Sequence, residues 1–402
     1  MSQKKLMLLG GIRYLLPVIE AAHKLGYWVI TVDYIPDNIA HKYSDEYHNV
    51  SILDKEAVLQ LAQELNIDGI LSFAVDPGVV TAAYVAEKIG LPFACSYLTA
   101  CILQDKVYFR KFLSDNHFNT PIAKGYTAIE DILDDQSLFN WPVMVKPADS
   151  AGSKGVTKVD SPNKLENAAT IALEAAHNGQ FIVEEYLEKE GLSSGCECFF
   201  QNGELVFNGF YDQYFDTNAA NPFTPSAECW PSDKPARILN EVKSELQRLG
   251  SLLCFRTGIF NVEWRVCTNG KIYLMEVSPR AGGNRLAEIL KIATNVDLIE
   301  AEVKKSLGED IPIIQEPHYQ ECYAIQILHS SQEGIFDRVE IEPAFEKKYV
   351  IEKEIRVNDG EQVDQFTGAN SAVGTVFLKT ASRKEMDRVL CQIDNFVTTS
   401  VR

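Results

Sequence analysis

Between residues 1 and 96, short apolar runs alternate with stretches of helical period, and that alternation leaves a chain few folds to choose from. Leu6, Met7, Leu8 and Leu9 form an apolar run that stops at Gly10-Gly11. Leu15, Val18, Ile19, Ala22 and Leu25 follow at helical spacing, and residues 28–33 read as the next strand. Asp54 suits the N-cap of a helix with Val58, Leu61, Ala62 and Leu65 on one face, and residues 69–73 make a further strand. A helix through Val79 to Ile89 stops at Gly90-Leu91-Pro92. The pattern predicts an α/β fold that opens on a Rossmann-like parallel sheet covered by helices, ending near residue 96. The N-terminus reads as a first strand and turn rather than a signal peptide. Gly10-Gly11 has no third glycine at the spacing a dinucleotide fingerprint needs, so it is read as an ordinary strand-to-helix turn.

Beyond residue 100 helices are expected at 105–115, 162–176 and 237–253, with strands at 142–146, 181–184, 197–200 and 272–276. Residues 212–235, rich in Asn, Pro, Phe and Tyr, read as one long irregular loop, and residues 318–402 as mixed strands with one terminal helix. A chain of 402 residues is long for one core and suggests two or three packed subdomains. No apolar run reaches the ~20 residues a bilayer span needs. With 56 acidic against 38 basic residues the net charge is −18, a surface that repels phosphate backbones and excludes general nucleic-acid binding. Nine scattered cysteines include no Cys-x-x-Cys pair. Cys196 and Cys198 would share one strand face, unsuited to tetrahedral zinc, so reduced thiols in a cytoplasmic protein are expected.

Four features carry chemistry. Lys146 ends a strand and precedes the small, glycine-rich segment 150–156, with Ser153 and Gly155, where a lysine and loop amides can hold phosphate oxygens. An apolar strand then ends in Glu184-Glu185-Tyr186-Leu187, with Glu197 beyond, which suits a base-and-ribose pocket. Glu263 and Glu276 lie thirteen residues apart around Asn269-Gly270, so a hairpin sets them side by side. Two neighbouring carboxylates repel unless a cation bridges them, as magnesium with a triphosphate would. Arg280 follows, suited to an anionic acyl phosphate. Lys106, finally, opens the second region on a helix face.

In this order and spacing the residues resemble the ATP-grasp family over most of the chain. The resemblance implies a Rossmann-like domain (1–96), an ATP-grasp domain (97–317) with a mobile lid at about 118–183, and a mixed β/α C-terminal subdomain (318–402). It further implies that Lys106 and Lys146 contact phosphates. Glu184 would face the adenine amino group, with Tyr186 and Leu187 supplying backbone contacts. Glu263 and Glu276 would bind two magnesium ions, with manganese able to substitute, and Arg280 would steady the transferred phosphoryl group. Ser278 stands where many members carry asparagine, which bears on the ligands of the second metal.

The implied activity is ATP-dependent joining of a small carboxylate to an amine through an acyl phosphate. Arg280-Ala281-Gly282-Gly283-Asn284 is similar to the corresponding segment of L-amino acid ligases, which favours an amino acid or similar acid. The purine-pathway members of the formate-dependent glycinamide ribonucleotide transformylase type also read Glu-Val-Ser-Pro-Arg. They anchor a ribonucleotide phosphate with an arginine pair, however, where this chain has Asn370-Ser371-Ala372-Val373-Gly374. A nucleotide-binding protein without turnover is disfavoured by the two carboxylates, and a biotin carboxylase by the lack of a carrier segment. Neither membrane nor nucleic acid is an expected partner, and a homodimer is compatible with the family.

Overall fold

The computed structural model describes residues 3–150, 152 and 154–402, with the backbone alone at Leu133. The chain opens with β1 (Lys5–Leu9), α1 (Leu16–Lys24), β2 (Trp28–Val32), β3 (Glu46–His48), α2 (Lys55–Leu65), β4 (Gly69–Leu71) and α3 (Asp76–Ile89). The pairings are parallel, in the order β3-β2-β1-β4 among the described residues. β1 lies inside the sheet and is buried from Leu6 to Leu9, which is why it reads as a continuous apolar run rather than an alternating one. The Asp54 carboxylate caps α2, accepting from the Ala57 amide at 3.1 Å. Edge strand β3 has no apolar pattern and was not expected. α4 (Tyr97–Gln104), also unexpected, and α5 (Lys106–Asp115) follow. Asp105 separates them and caps α5 through the amides of Val107 and Tyr108, at 2.8 and 3.1 Å.

The next segment builds an antiparallel sheet of its own. It comprises β5 (Ala123–Tyr126), α6 (Ile129–Asp134), β6 (Val143–Pro147), β7 (Thr157–Val159), α7 (Leu165–Ala175) and β8 (Phe181–Glu185), with strand order β5-β8-β6-β7. Residues 162–164 are a 3₁₀ turn, so the α-helix expected from 162 starts at Leu165. Val145, Ala169, Phe181 and their neighbours form a core separate from the large one shared by the N-terminal domain and the central sheet.

The rest of the chain contributes β9 (Ser193–Gln201), β10 (Glu204–Phe215), β11 (Pro225–Trp230), α8 (Ala236–Leu252), β12 (Gly258–Val266), β13 (Ile272–Ser278), α9 (Leu286–Thr294) and α10 (Leu298–Ser306). It continues with β14 (Cys322–Leu328), β15 (Gly334–Ile341), α11 (Pro343–Tyr349), β16 (Val350–Ile355), β17 (Gln362–Val363), β18 (Gly374–Thr380), α12 (Arg383–Cys391) and β19 (Val397–Val401). Among the described residues an antiparallel sheet runs β13-β12-β9-β10-β11-β14-β18-β16, so strands beyond residue 318 complete the sheet that carries the site. β15, β17 and β19 form a small outer sheet.

Two expectations fail here. Residues 212–235 are not one loop: β10 reaches Phe215 and β11 starts at Pro225, leaving only 216–224 irregular. The Asn218, Asn221 and Pro222 lie in that connection, and Pro225 sits at a strand's first position, where it is tolerated. The C-terminal region holds two α-helices, and its last element is the strand β19. No helix among the described residues is long and apolar enough to cross a membrane.

Candidate active site

The β12–β13 hairpin turns at Gly270, whose φ of 74° suits glycine, and its register sets Glu263 directly opposite Glu276. On the other side of β12, Gly195 of β9 faces Glu263, and Tyr211 of β10 faces Gly195. A Cβ added at Gly195 would lie 2.2 Å from the Tyr211 ring, so only glycine lets that ring cross the strand beside the glutamate. Burial, and then the charge of Glu276, push the Glu263 carboxyl above its usual range. Burial acts on Glu276 too, but the cations around it, Lys106 at 3.1 Å first and then Arg280 and Lys146, together outweigh it and lower its pKa.

Lys106, the first residue of α5, also donates to the carbonyl of Ser150 at 2.8 Å, tying the helix to the segment after β6. One turn further along α5, the Arg110 Nε donates to Glu184 Oε2 at 2.9 Å, and Lys146 of β6 pairs with Oε1 of the same carboxylate. Burial opposes a charge on Glu184, yet Arg110 and Lys146 together hold its carboxyl at about 2. Burial lowers the Lys146 pKa despite Glu184. Both oxygens of Glu184 are thus engaged by cations. Its side chain acts as their counter-ion in this arrangement while still lining a cleft. Arg110 was not singled out in the sequence; its signal is a charged residue on the buried face of α5, with Phe109 and Leu113.

These groups line a cleft of about 260 Å³ between the β5-β8-β6-β7 sheet and the central sheet. Lys146, Tyr186 and Leu187 line it from the one sheet and Glu263, Glu276 and Arg265 from the other, with Phe215 and Phe223 also in the lining. Glu185 also reaches the cleft while accepting from Asn140 at 2.7 Å and from the Ile122 amide at 3.2 Å. The Lys158 ammonium lies 4.1 Å from the Tyr186 ring centroid. Gly155, at φ 67°, packs on α7, where an added Cβ would meet Ala175 at 2.7 Å. The expectation for Ser153 lies outside the described residues. Tyr211 is buried, and the Tyr214 hydroxyl donates to Asp387 at 2.5 Å, away from the cleft. Of the four aromatic residues Tyr211, Tyr214, Phe215 and Phe223, the two phenylalanines line the cleft and the two tyrosines do not.

Arg280 sits beyond the carboxylates and forms a two-pronged pair with Asp76 at the start of α3, with Nε–Oδ1 and Nη2–Oδ2 both at 2.7 Å. Ser278 donates to Asp76 at 3.1 Å and accepts from Gln104 at 2.7 Å. Glu197, read from the sequence as a nucleotide contact, is instead fully buried behind the Arg280 loop. It accepts from Asn261 at 2.6 Å and from the Gly282 amide at 2.9 Å. Burial pushes its pKa up to about 8. Asp76 and Gln104 were missed because their partners lie about two hundred residues away; the only local signal was Asp76-Pro77 opening a helix after a strand.

Among the described residues no three His, Cys, Asp or Glu side chains are arranged to hold a metal alone. The opposed carboxylates do suit magnesium, which commonly takes one or two protein carboxylates and completes its shell with substrate phosphates. Residues 139–288 match the ATP-grasp domain family, and the chain therefore carries an ATP-grasp domain. Members of that family are ligases that form C–N bonds while hydrolysing ATP to ADP. A formate-dependent phosphoribosylglycinamide formyltransferase of Parasynechococcus marenigrum is 24% identical over 320 residues, covering 77% of this chain and 78% of the relative. Over the full length of both chains, the structure is similar to an L-amino acid ligase from Bacillus licheniformis (TM-score 0.81, 19% identity). It is likewise similar to a phosphoribosylglycinamide synthetase from Anaerococcus prevotii (TM-score 0.77, 19% identity).

Proposed function

We propose that the protein is an ATP- and magnesium-dependent carboxylate–amine ligase acting on an amino acid or a similar small acid. The observation that carries this reading is the Glu263–Glu276 pair beside Lys106 and Lys146, with Arg280 just beyond. Magnesium, held by Glu263 and Glu276, would supply charge neutralisation to the triphosphate. Lys106 and Lys146 would take phosphate oxygens, and Glu184 would keep Lys146 and Arg110 in place. A substrate carboxylate oxygen attacks the γ-phosphorus as the bond to ADP breaks; an amine nitrogen then attacks the acyl carbon and phosphate leaves. Arg280 would hold the acyl phosphate, aimed by Asp76. Closure of the lid (about 118–183) would exclude water, which otherwise hydrolyses that intermediate. The reading keeps the division at 96/97 and 317/318, manganese as a substitute metal, a cytoplasmic setting and a homodimer.

A second reading, a purine-pathway enzyme acting on glycinamide ribonucleotide, is favoured by the formyltransferase relative. Measuring ATP-dependent phosphate release with a panel of amino acids, other small acids and glycinamide ribonucleotide separates the two. Stimulation by an amino acid is expected. Stimulation by the ribonucleotide alone would establish the second reading.

A further inference from the structure

The nucleotide cleft holds two cations that no carboxylate answers. Lys106 pairs with Glu276, while Arg110 and Lys146 share Glu184. Arg265 of β12 and Lys189, two residues past Leu187, line the same cleft. Neither of their side chains has a hydrogen-bond or ion-pair partner among the described residues; the Lys189 ammonium lies 4.7 Å from the Phe215 ring centroid instead. We propose that Arg265, with Lys189 beside it, takes the α-phosphate of the bound nucleotide. The proposal rests on the ATP reading of the cleft and adds a binding residue to it.

Three observations carry it. The first is an unmet need. Arg265 is partly buried and its Nε is sealed without a partner, so the two Nη nitrogens are what it offers the cleft. Burying a cation without an acceptor is costly, and the paired oxygens of a phosphate are an acceptor that a guanidinium fork matches.

The second is position along β12. At Asn261 the strand lies opposite Ser278, next to the Arg280 loop. At its other end the Val266 carbonyl accepts from the Glu190 amide at 2.8 Å, and Cys267 bridges to Lys189. Glu263 and Arg265 stand between these ends on the cleft face, two residues and about 7 Å apart. A nucleotide with its γ-phosphate toward Arg280, its outer phosphates at the Glu263–Glu276 pair and its base against Tyr186 and Leu187 must pass its α-phosphate alongside Arg265.

The third is charge. The bridge to Cys267 sets Lys189 beside Arg265, and burial, then Arg265 and Lys234, lower the Lys189 pKa with no carboxylate to counter them. Like charges held side by side repel, and an anion between them removes that repulsion.

The test is calorimetric titration of the full chain, with magnesium, against adenosine, AMP and ADP, repeated on Arg265→Met and on Arg265→Lys, which keeps the charge but loses the fork. Arg265→Met should bind AMP and ADP at least tenfold more weakly, by the same factor, and adenosine as the wild type does. Arg265→Lys should fall between. The Tm without nucleotide should not drop in either variant, because Arg265 has no partner to lose. Equal AMP affinity in the wild type and Arg265→Met overturns the proposal. So does a loss for ADP alone, which would put Arg265 on the β-phosphate, or an equal loss for adenosine. A lowered Tm of the nucleotide-free variants would make Arg265 a structural residue and count against it too. In turnover Arg265→Met should raise the ATP KM at least tenfold and leave the acid KM alone. Arg265-dependent nucleotide binding without phosphate release from any acid–amine pair would sink the ligase reading and leave the contact standing. Turnover with an ATP KM indifferent to Arg265 would do the reverse.

Discussion

Glu184 is a buried carboxylate with both oxygens taken by cations. It is 2% exposed and compensates two cations, so Glu184→Gln leaves Arg110 and Lys146 facing each other. We expect that change to cost about 3–5 kcal/mol, read as a lowered Tm. Its folded pKa of about 2 lies below its ordinary 4.5. The contribution is therefore whole above pH 4.5 and lost as pH falls through about 2. Glu197 and Glu228 act in the opposite sense. Burial first raises both to about 8, so the folded state keeps protons that the unfolded chain releases. Their contribution is whole below pH 4.5 and lost as pH rises through about 8. Wild-type Tm should decline from pH 5 to pH 8, and the Glu197→Gln/Glu228→Gln double variant should flatten that slope; an unchanged slope refutes the assignment. For Glu276→Gln, phosphate release should nearly vanish while nucleotide affinity falls less, because an amide binds magnesium poorly and the lysines remain. Undiminished release would remove Glu276 from the metal site.

Among the elements, the β12–β13 hairpin and its neighbour β9 set the geometry of the carboxylates. Gly195→Ala would drive a methyl into the Tyr211 ring and displace β9 from β12 beside Glu263. We expect a Tm loss together with a weaker response to magnesium, and partial recovery of both when Tyr211→Leu is added. A Tm loss with an unaltered magnesium titration would mean that the strand moves without moving the glutamate. The hairpin was legible because Asn-Gly is a strong local turn signal. β10 and β11 were not, since Asn218, Asn221 and Pro222, with Pro225, Pro231 and Pro235 beyond, dominated the composition of the window around them.

In the whole molecule, the β5–β8 segment has its own core and meets the rest across the cleft. Bound nucleotide would bridge the two walls, so hydrogen exchange in β6 and β7 should slow with an ATP analogue and magnesium. Equal exchange with and without the analogue would argue against a lid closed by nucleotide.

The lysines stood out as a pair only through the family resemblance, while local pattern was enough to reveal the parallel N-terminal sheet and the Glu263–Glu276 pairing. Each of these depends on periodicity or on a turn within about thirty residues. Asp76 on Arg280, Arg110 on Glu184 and Arg356 on Tyr14 join positions 204, 74 and 342 residues apart. Burial then decides how those groups ionise. Neither the contact nor the loss of water is written in any window of the chain; both arise only when the three regions close on one another.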